Sequence, residues 1–487
     1  MGFYLISSVA LFLIYVSSTQ LSVSTFAQQD SSVSSSTEAV TSTNDAMIKS
    51  ILIISQVSVL GITFNHVFFQ KVSSEKKFNP LNPKNKNHVT YYGNNRYLKR
   101  FSILLLSCCI CTMFASTVII LLQAYELAHE LTLDISSTFS ILSSTSVGQV
   151  WIMRIITSSI IIGLVTFYYL LERRIAMRSA ENLPPQSLHK VNMRKTIPFA
   201  FLIPIVIVSS INLFSNSMIS HSNALPTFSS LAISIDWIHF AAVSIWIGGL
   251  FYFSTLILTG KKLSPEDFEK RDIKTNDENG ILLEDIRKTY YMSILLTYFS
   301  YIAIVSLGII GITGLYMGLI HLQSINAIFN TSYGNILIIK LSLAFPMVFM
   351  GRYNQLKIQR YVSLAKKIIK NDYVCNEDKF SDLTKQNEKK LVFFKQINRS
   401  IKVESLLGIS VLIAASFLSV TSPPSLATMD QNSNLVGNSN TANYSSNNGI
   451  NPYFIALIAI LSIIILVLSI VNFRKNHKKV HEIFEQI

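Results

Sequence analysis

Apolar runs of about twenty residues recur along the chain, separated by short polar connections, and each is long enough to cross a hydrocarbon core of about 30 Å as a helix. Nine such runs are drawn at approximately 47–70, 101–125, 148–171, 197–216, 231–258, 290–320, 334–350, 403–421 and 452–473. A further run, "FYLISSVALFLIYVSS", stands at the N-terminus before a Ser/Thr-rich stretch, and residues 1–27 read as a signal peptide or as an uncleaved anchor. The expected fold is an all-α polytopic membrane protein with about nine transmembrane helices after that signal peptide. Its parts are a disordered extracytoplasmic tail over 28–46, a helical transmembrane domain over 47–425 and a flexible Asn/Ser-rich loop over 426–451. A last helix over 452–473 and a basic cytoplasmic tail over 474–487 complete the chain.

Composition supports this reading: 50% of residues are hydrophobic, 14% are charged, and the mean hydropathy is +0.41. A net charge of +14 invites a nucleic-acid partner, but the placement of the cations excludes one. Of the 41 Lys and Arg, all but three fall in the alternate connections 71–100, 172–196, 259–289 and 351–402 and in the tail. That asymmetry encodes topology, with the N-terminus outside and the C-terminus inside. The three left over are Lys49, which begins the first span, and Arg154 and Lys340, which sit inside spans where a lone charge is costly. The charged connection 351–402 reads as a helical hairpin with a solvated face.

The outer connections are short, so chemistry is expected within the bundle or at its outer rim. His88, His189, His477 and His481 fall among solvated cytoplasmic cations, whereas His129, His221, His239 and His321 share the outer side. Each outer histidine has a partner at near-helical spacing: Glu126 with His129, Met218 with His221, Asp236 with His239 and Met317 with His321. Imidazole and thioether suit copper, thioether favouring Cu(I), and a carboxylate can hold an imidazole ring in place. An isolated pair of this kind is a weak signal, except that Asp236 and His239 lie within an apolar span, where ionisable groups mark function by default. Cys108, Cys109, Cys111 and Cys375 imply no disulfide framework, and Cys108 and Cys111, which share a helix face, read as small packing residues or as soft donors along a Cu(I) route. Gly248, Gly249, Gly314 and Gly318, with Gly308 and Gly311, read as points of close helix approach.

The stretch "DWIHFAAVSIWIGGL" resembles the copper resistance protein D family, through Asp236, His239, Trp246, Gly248 and Gly249. The resemblance runs over about 95–425, through "SVGQVWIMR" with Arg154, "SYGNILIIKLSLAF" with Lys340, and "NRSIKVESLLGISVLIAASFLSVTSPP" with Glu404. It implies copper handling at the cytoplasmic membrane, usually uptake beside a small extracytoplasmic copper carrier. The N-terminal tail here lacks histidine, so that carrier is expected as a separate protein. The resemblance supports Asp236 and His239 most directly, then His221, Lys340 and Arg154; Met317, His321, Met218 and His129 rest on spacing.

The function expected is copper transport, import into the cell, or copper homeostasis, by a transporter rather than an enzyme. Copper binds outer-side His and Met and passes through the bundle. Asp236 orients His239 or balances the metal's charge, and Arg154 and Lys340 gate the entrance by pairing with Asp236 or Glu130. Two alternatives remain at this stage: a haem b electron carrier ligated by His239 and His321, and an assembly factor delivering copper to a membrane oxidase.

Overall fold

The computed structural model describes residues 43–74, 95–132, 134–181, 199–223, 229–257, 278–322, 324–372 and 380–425. The expected signal peptide, the loop 426–451, the helix 452–473, the basic tail and Cys375 lie outside them, as do the side chains of Glu126 and Glu130. The described residues form helices joined by turns, without strands. These helices are α1 Thr43–Ser74, α2 Asn95–Leu131, α3 Ile135–Ser144, α4 Ser146–Glu181 and α5 Ile203–Met218. They continue with α6 Ser229–Tyr252, extended by a π-helical turn Phe253–Ile257, then α7 Glu278–Leu322, α8 Ala327–Asn330, α9 Ser332–Asp372 and α10 Phe380–Val420.

Seven of them are long and apolar enough to cross a membrane, and α5 is apolar but shorter. An apolar solvent leaves backbone amides no partner but one another, so each run closes into a helix. Hydroxyl side chains inside the runs are satisfied on the same terms: Ser50, Thr63, Ser116, Ser209 and Ser244 each donate to the carbonyl four residues back, at 2.6–2.8 Å. The helices outrun the apolar stretches, because helix hydrogen bonding continues through the charged ends. The ends of α9 and α10 thus make up most of the segment expected as a hairpin.

α1 and α6 form the centre. α1 packs on α2, α5, α6 and α10, and α6 packs on α1, α5, α7 and α10. Their crossing is backbone on backbone. A methyl group added at Gly61 would meet the Gly248 Cα at 2.6 Å as well as the Ser244 carbonyl, and one at Gly248 would meet the Gly61 Cα at 2.5 Å and the Val57 carbonyl at 3.0 Å. Only glycine permits that approach. Gly249 is equally enclosed, by Phe299 and Asn65, and Trp246 is buried beside it.

The contacts are reciprocal because the molecule is built twice. Exchanging α1, α2, α4 and α5 for α6, α7, α9 and α10 maps the set of helix pairings onto itself: α2 with α4 becomes α7 with α9, and α4 with α5 becomes α9 with α10. The sequence repeats at the same places. "TSVGQVWIMR" opens α4 and "TSYGNILIIK" opens α9. In both, a threonine hydroxyl before the helix accepts from the glycine N–H, Thr145 from Gly148 at 3.1 Å and Thr331 from Gly334 at 3.0 Å. In both, a short preceding helix, α3 or α8, folds backbone carbonyls against that glycine, Leu142 at Gly148 and Ala327 and Ile328 at Gly334.

Candidate metal site

His221 lies in the turn that follows α5, and His321 lies in the last turn of α7. Their rings stand 6.2 Å apart, centroid to centroid, inclined at 76°. His321 is 3% exposed and His221 is half-buried, and Nδ1 of His321 and Nε2 of His221 have no hydrogen-bond partner. The main chain at Thr421, past the end of α10, bonds the His221 ring. Met317 stands one turn before His321 on α7, and the Ser222 hydroxyl donates to its sulfur at 3.8 Å. Tyr333, at the start of α9, closes the far side of His321 at 6.2 Å between rings. The site is thus assembled from the ends of four helices, each terminated by its own turn.

An imidazole nitrogen holds a metal ion at about 2 Å, so one ion between two rings sets their centroids about 6 Å apart. Two buried imidazole nitrogens without partners, next to a thioether, are a donor set for a soft monovalent cation such as Cu(I). Among the described residues no group of three or more His, Cys, Asp and Glu gathers in a form that could hold a metal ion, which leaves hard multi-carboxylate chemistry without a place there.

The other expected residues fall around this pair. His239 is half-buried on α6, where Nδ1 pairs with the Thr313 hydroxyl at 2.9 Å and the ring lies against Gly314, 3.4 Å from an added methyl there. Its neighbours include Thr313, Gly314 and Phe240, whereas those of His321 include His221 and Tyr333, so the two rings named for a haem pair make separate contacts. Asp236, 7% exposed, has Ser217 and Ser220 beside it and Lys340 as its electrostatic partner on α9. Met218 is half-buried at the end of α5, and His129 is exposed at the end of α2. Glu404, buried on α10, accepts from the Asn354 amide at 3.1 Å, and Gly351 leaves room for its carboxylate, far along the helix from the histidine pair. Cys109 packs in the core between half-buried Cys108 and Cys111, all three as free thiols.

Arg154 does not meet an acid among its described hydrogen bonds. Its Nε donates to the Ser215 hydroxyl at 2.6 Å, and Nη2 donates to the Ser215 carbonyl at 3.1 Å and to the Asn216 side-chain oxygen at 2.8 Å. Gln56 and Asn212 continue that network across α1, α4 and α5. Sequence reasoning passed over these amides, although Gln and Asn inside apolar runs were a visible signal. It likewise passed over the buried cluster in which Tyr97 bonds His66 at 2.9 Å and Tyr252 at 3.0 Å, at the opposite end of the bundle.

Fold and helix composition define a multi-pass helical membrane protein. Residues 294–418 match the family described as copper resistance protein D, so the resemblance read from the motifs holds over that segment, which is narrower than 95–425. Met317, His321, Tyr333, Lys340 and Glu404 lie within it. The chain is also similar to a copper transport protein, CutJ, of Bacillus subtilis (strain 168), with 27% identity over 196 residues. That stretch is 40% of this chain and 26% of the relative, so the chain spans about a quarter of the relative's length. No solved structure matches.

Proposed function

We propose that the protein transports copper across the cytoplasmic membrane, taking the ion from the outer face between His221 and His321 with Met317 beside them. The observation that carries this reading is the convergence of two imidazoles from different helix ends, each with a buried ring nitrogen lacking any hydrogen-bond partner. A buried polar atom without a partner costs about 1–3 kcal/mol, and a metal ion shared by the two rings would offset both at once. The copper resistance protein D match and the copper transport relative supply the metal's identity. Asp236 and Lys340 then neutralise each other next to the entrance. The excess of Lys and Arg in alternate connections supports a histidine end on the outer face, and in this reading copper moves inward from there. The small separate carrier implied by the resemblance would deliver to that end.

Purified protein loaded with Cu(I) tests the site. His221→Ala and His321→Ala are each expected to lower copper affinity about 10–100-fold, with uptake into proteoliposomes falling alongside, while His129→Ala leaves both unchanged. Wild-type affinity in the His221→Ala and His321→Ala proteins would sink the assignment.

A further inference from the structure

The internal repeat sets Lys49 and Asp236 in equivalent places, since Lys49 precedes Gly61 by the same interval at which Asp236 precedes Gly248. Arg154 and Lys340 are equivalent in the same way, each following the glycine of its Thr-Ser-x-Gly corner by one interval. The electrostatics obey the repeat: Lys340 faces Asp236, and Arg154 faces Lys49. One half therefore holds an acid and a base where the other holds two cations.

The surroundings of these two cations are rich in donors. Arg154 and Trp151 are each 1% exposed, and the guanidinium carbon sits 4.0 Å from the Trp151 ring centroid. Nη1 of Arg154 and the indole N–H of Trp151 have no hydrogen-bond partner, and the acceptors of Arg154 among the described residues are neutral oxygens. Asp45 is the acid that Lys49 feels, and it weighs less there than the Arg154 charge. One N–H group of a buried guanidinium and an indole N–H are left without acceptors beside an ammonium, and a buried charge calls for an opposite one.

We propose that Lys49, Arg154 and Trp151 bind a small monovalent anion of the chloride class, which supplies the negative charge that Asp236 supplies in the other half. The anion accepts from Nη1 of Arg154 and from the indole N–H and neutralises the Lys49 ammonium. It thereby removes one positive charge from beside His221, whose ring feels Lys49. The site stands or falls independently of copper transport.

The test uses the full-length, copper-free protein in detergent, with thermal unfolding followed as sodium gluconate is replaced by sodium chloride at constant ionic strength. Wild type is expected to show a saturable rise of about 2–4 °C. Lys49→Met should lose that rise while unfolding in gluconate no earlier than wild type, because it deletes one of two facing cations. Trp151→Phe keeps a ring under Arg154 without its donor and should weaken half-saturation by about 5-fold. Identical midpoints in gluconate and chloride, or an equal chloride response in wild type and Lys49→Met, would overturn the proposal.

Discussion

His221 and His239 carry the same side chain in different chemical positions, and that difference decides which one a metal would find. His239 bonds the Thr313 hydroxyl and the main chain at Ile310, while His221, although bonded at Thr421, and His321 each keep a buried ring nitrogen without a hydrogen-bond partner. Loss of His239 is therefore expected to change copper affinity less than loss of His221 or His321, a ranking that one binding series on the three alanine proteins would check. Burial, and then the Lys49 ammonium, hold His221 below the ordinary imidazole value of 6.5. The neutral ring is the ligand, so with a lowered pKa, protons begin to compete only below pH 6.5. Copper affinity should stay flat from mildly alkaline pH down to 6.5 and fall beneath it; a fall that starts above 6.5 in a pH titration of affinity would contradict this. Asn212 donates to Thr157 and Ser158 and its side-chain oxygen accepts from Gln56, so Asn212→Leu removes one acceptor of the buried Gln56 NH2, which keeps the Asn212 main-chain carbonyl, and should cost about 1–3 kcal/mol in a stability measurement. The four outer histidines were legible from their side of the membrane and their spacing. Which two converge was not, because the meeting of His221 with His321 depends on how two separate chain turns close over the bundle end.

At the scale of the helix, glycine has two different meanings in this molecule. At Gly61 and Gly248 a side chain would enter another backbone, whereas an added methyl at Gly311 or Gly318 meets nothing among the described residues. Gly248→Val should therefore destabilise the fold by about 1–3 kcal/mol or more. Gly311→Ala should be neutral or stabilising by up to about 1 kcal/mol through helix propensity, and thermal unfolding of the two proteins side by side separates the cases. The glycine row of α7 drew attention through its regular spacing, while the lone Gly61 in α1 did not. Spacing on one helix says where contact is possible, and only the opposing helix says where it happens. Seven of the expected runs fall on helices long and apolar enough to cross a membrane and an eighth, 197–216, falls on the shorter helix Ile203–Met218, since hydropathy acts locally. Helix length was not, because α7 and α10 continue well past the membrane-compatible stretch.

For the molecule as a whole, two related four-helix halves joined through α1 and α6 account for the pairings of the spanning helices. Each half contributes a central helix that is buried mainly by the other. Residues 1–223 and 229–487, produced as two polypeptides in one cell, are therefore expected to co-purify in a membrane extract, and Gly248→Val in the second should abolish that association. The repeat was hidden in the sequence because burial constrains only the corner that opens α4 and α9, the cation inside each of those helices, and the crossing glycine. The lipid-facing remainder tolerates any apolar residue. The same crossing governs how this protein can change over generations. Gly61 and Gly248 are each held small by the other, so no substitution at one is rescued by shrinking its partner, which has no side chain to give up. Lineages that drift freely across the lipid-facing surface should keep both glycines together or lose them together with the fold.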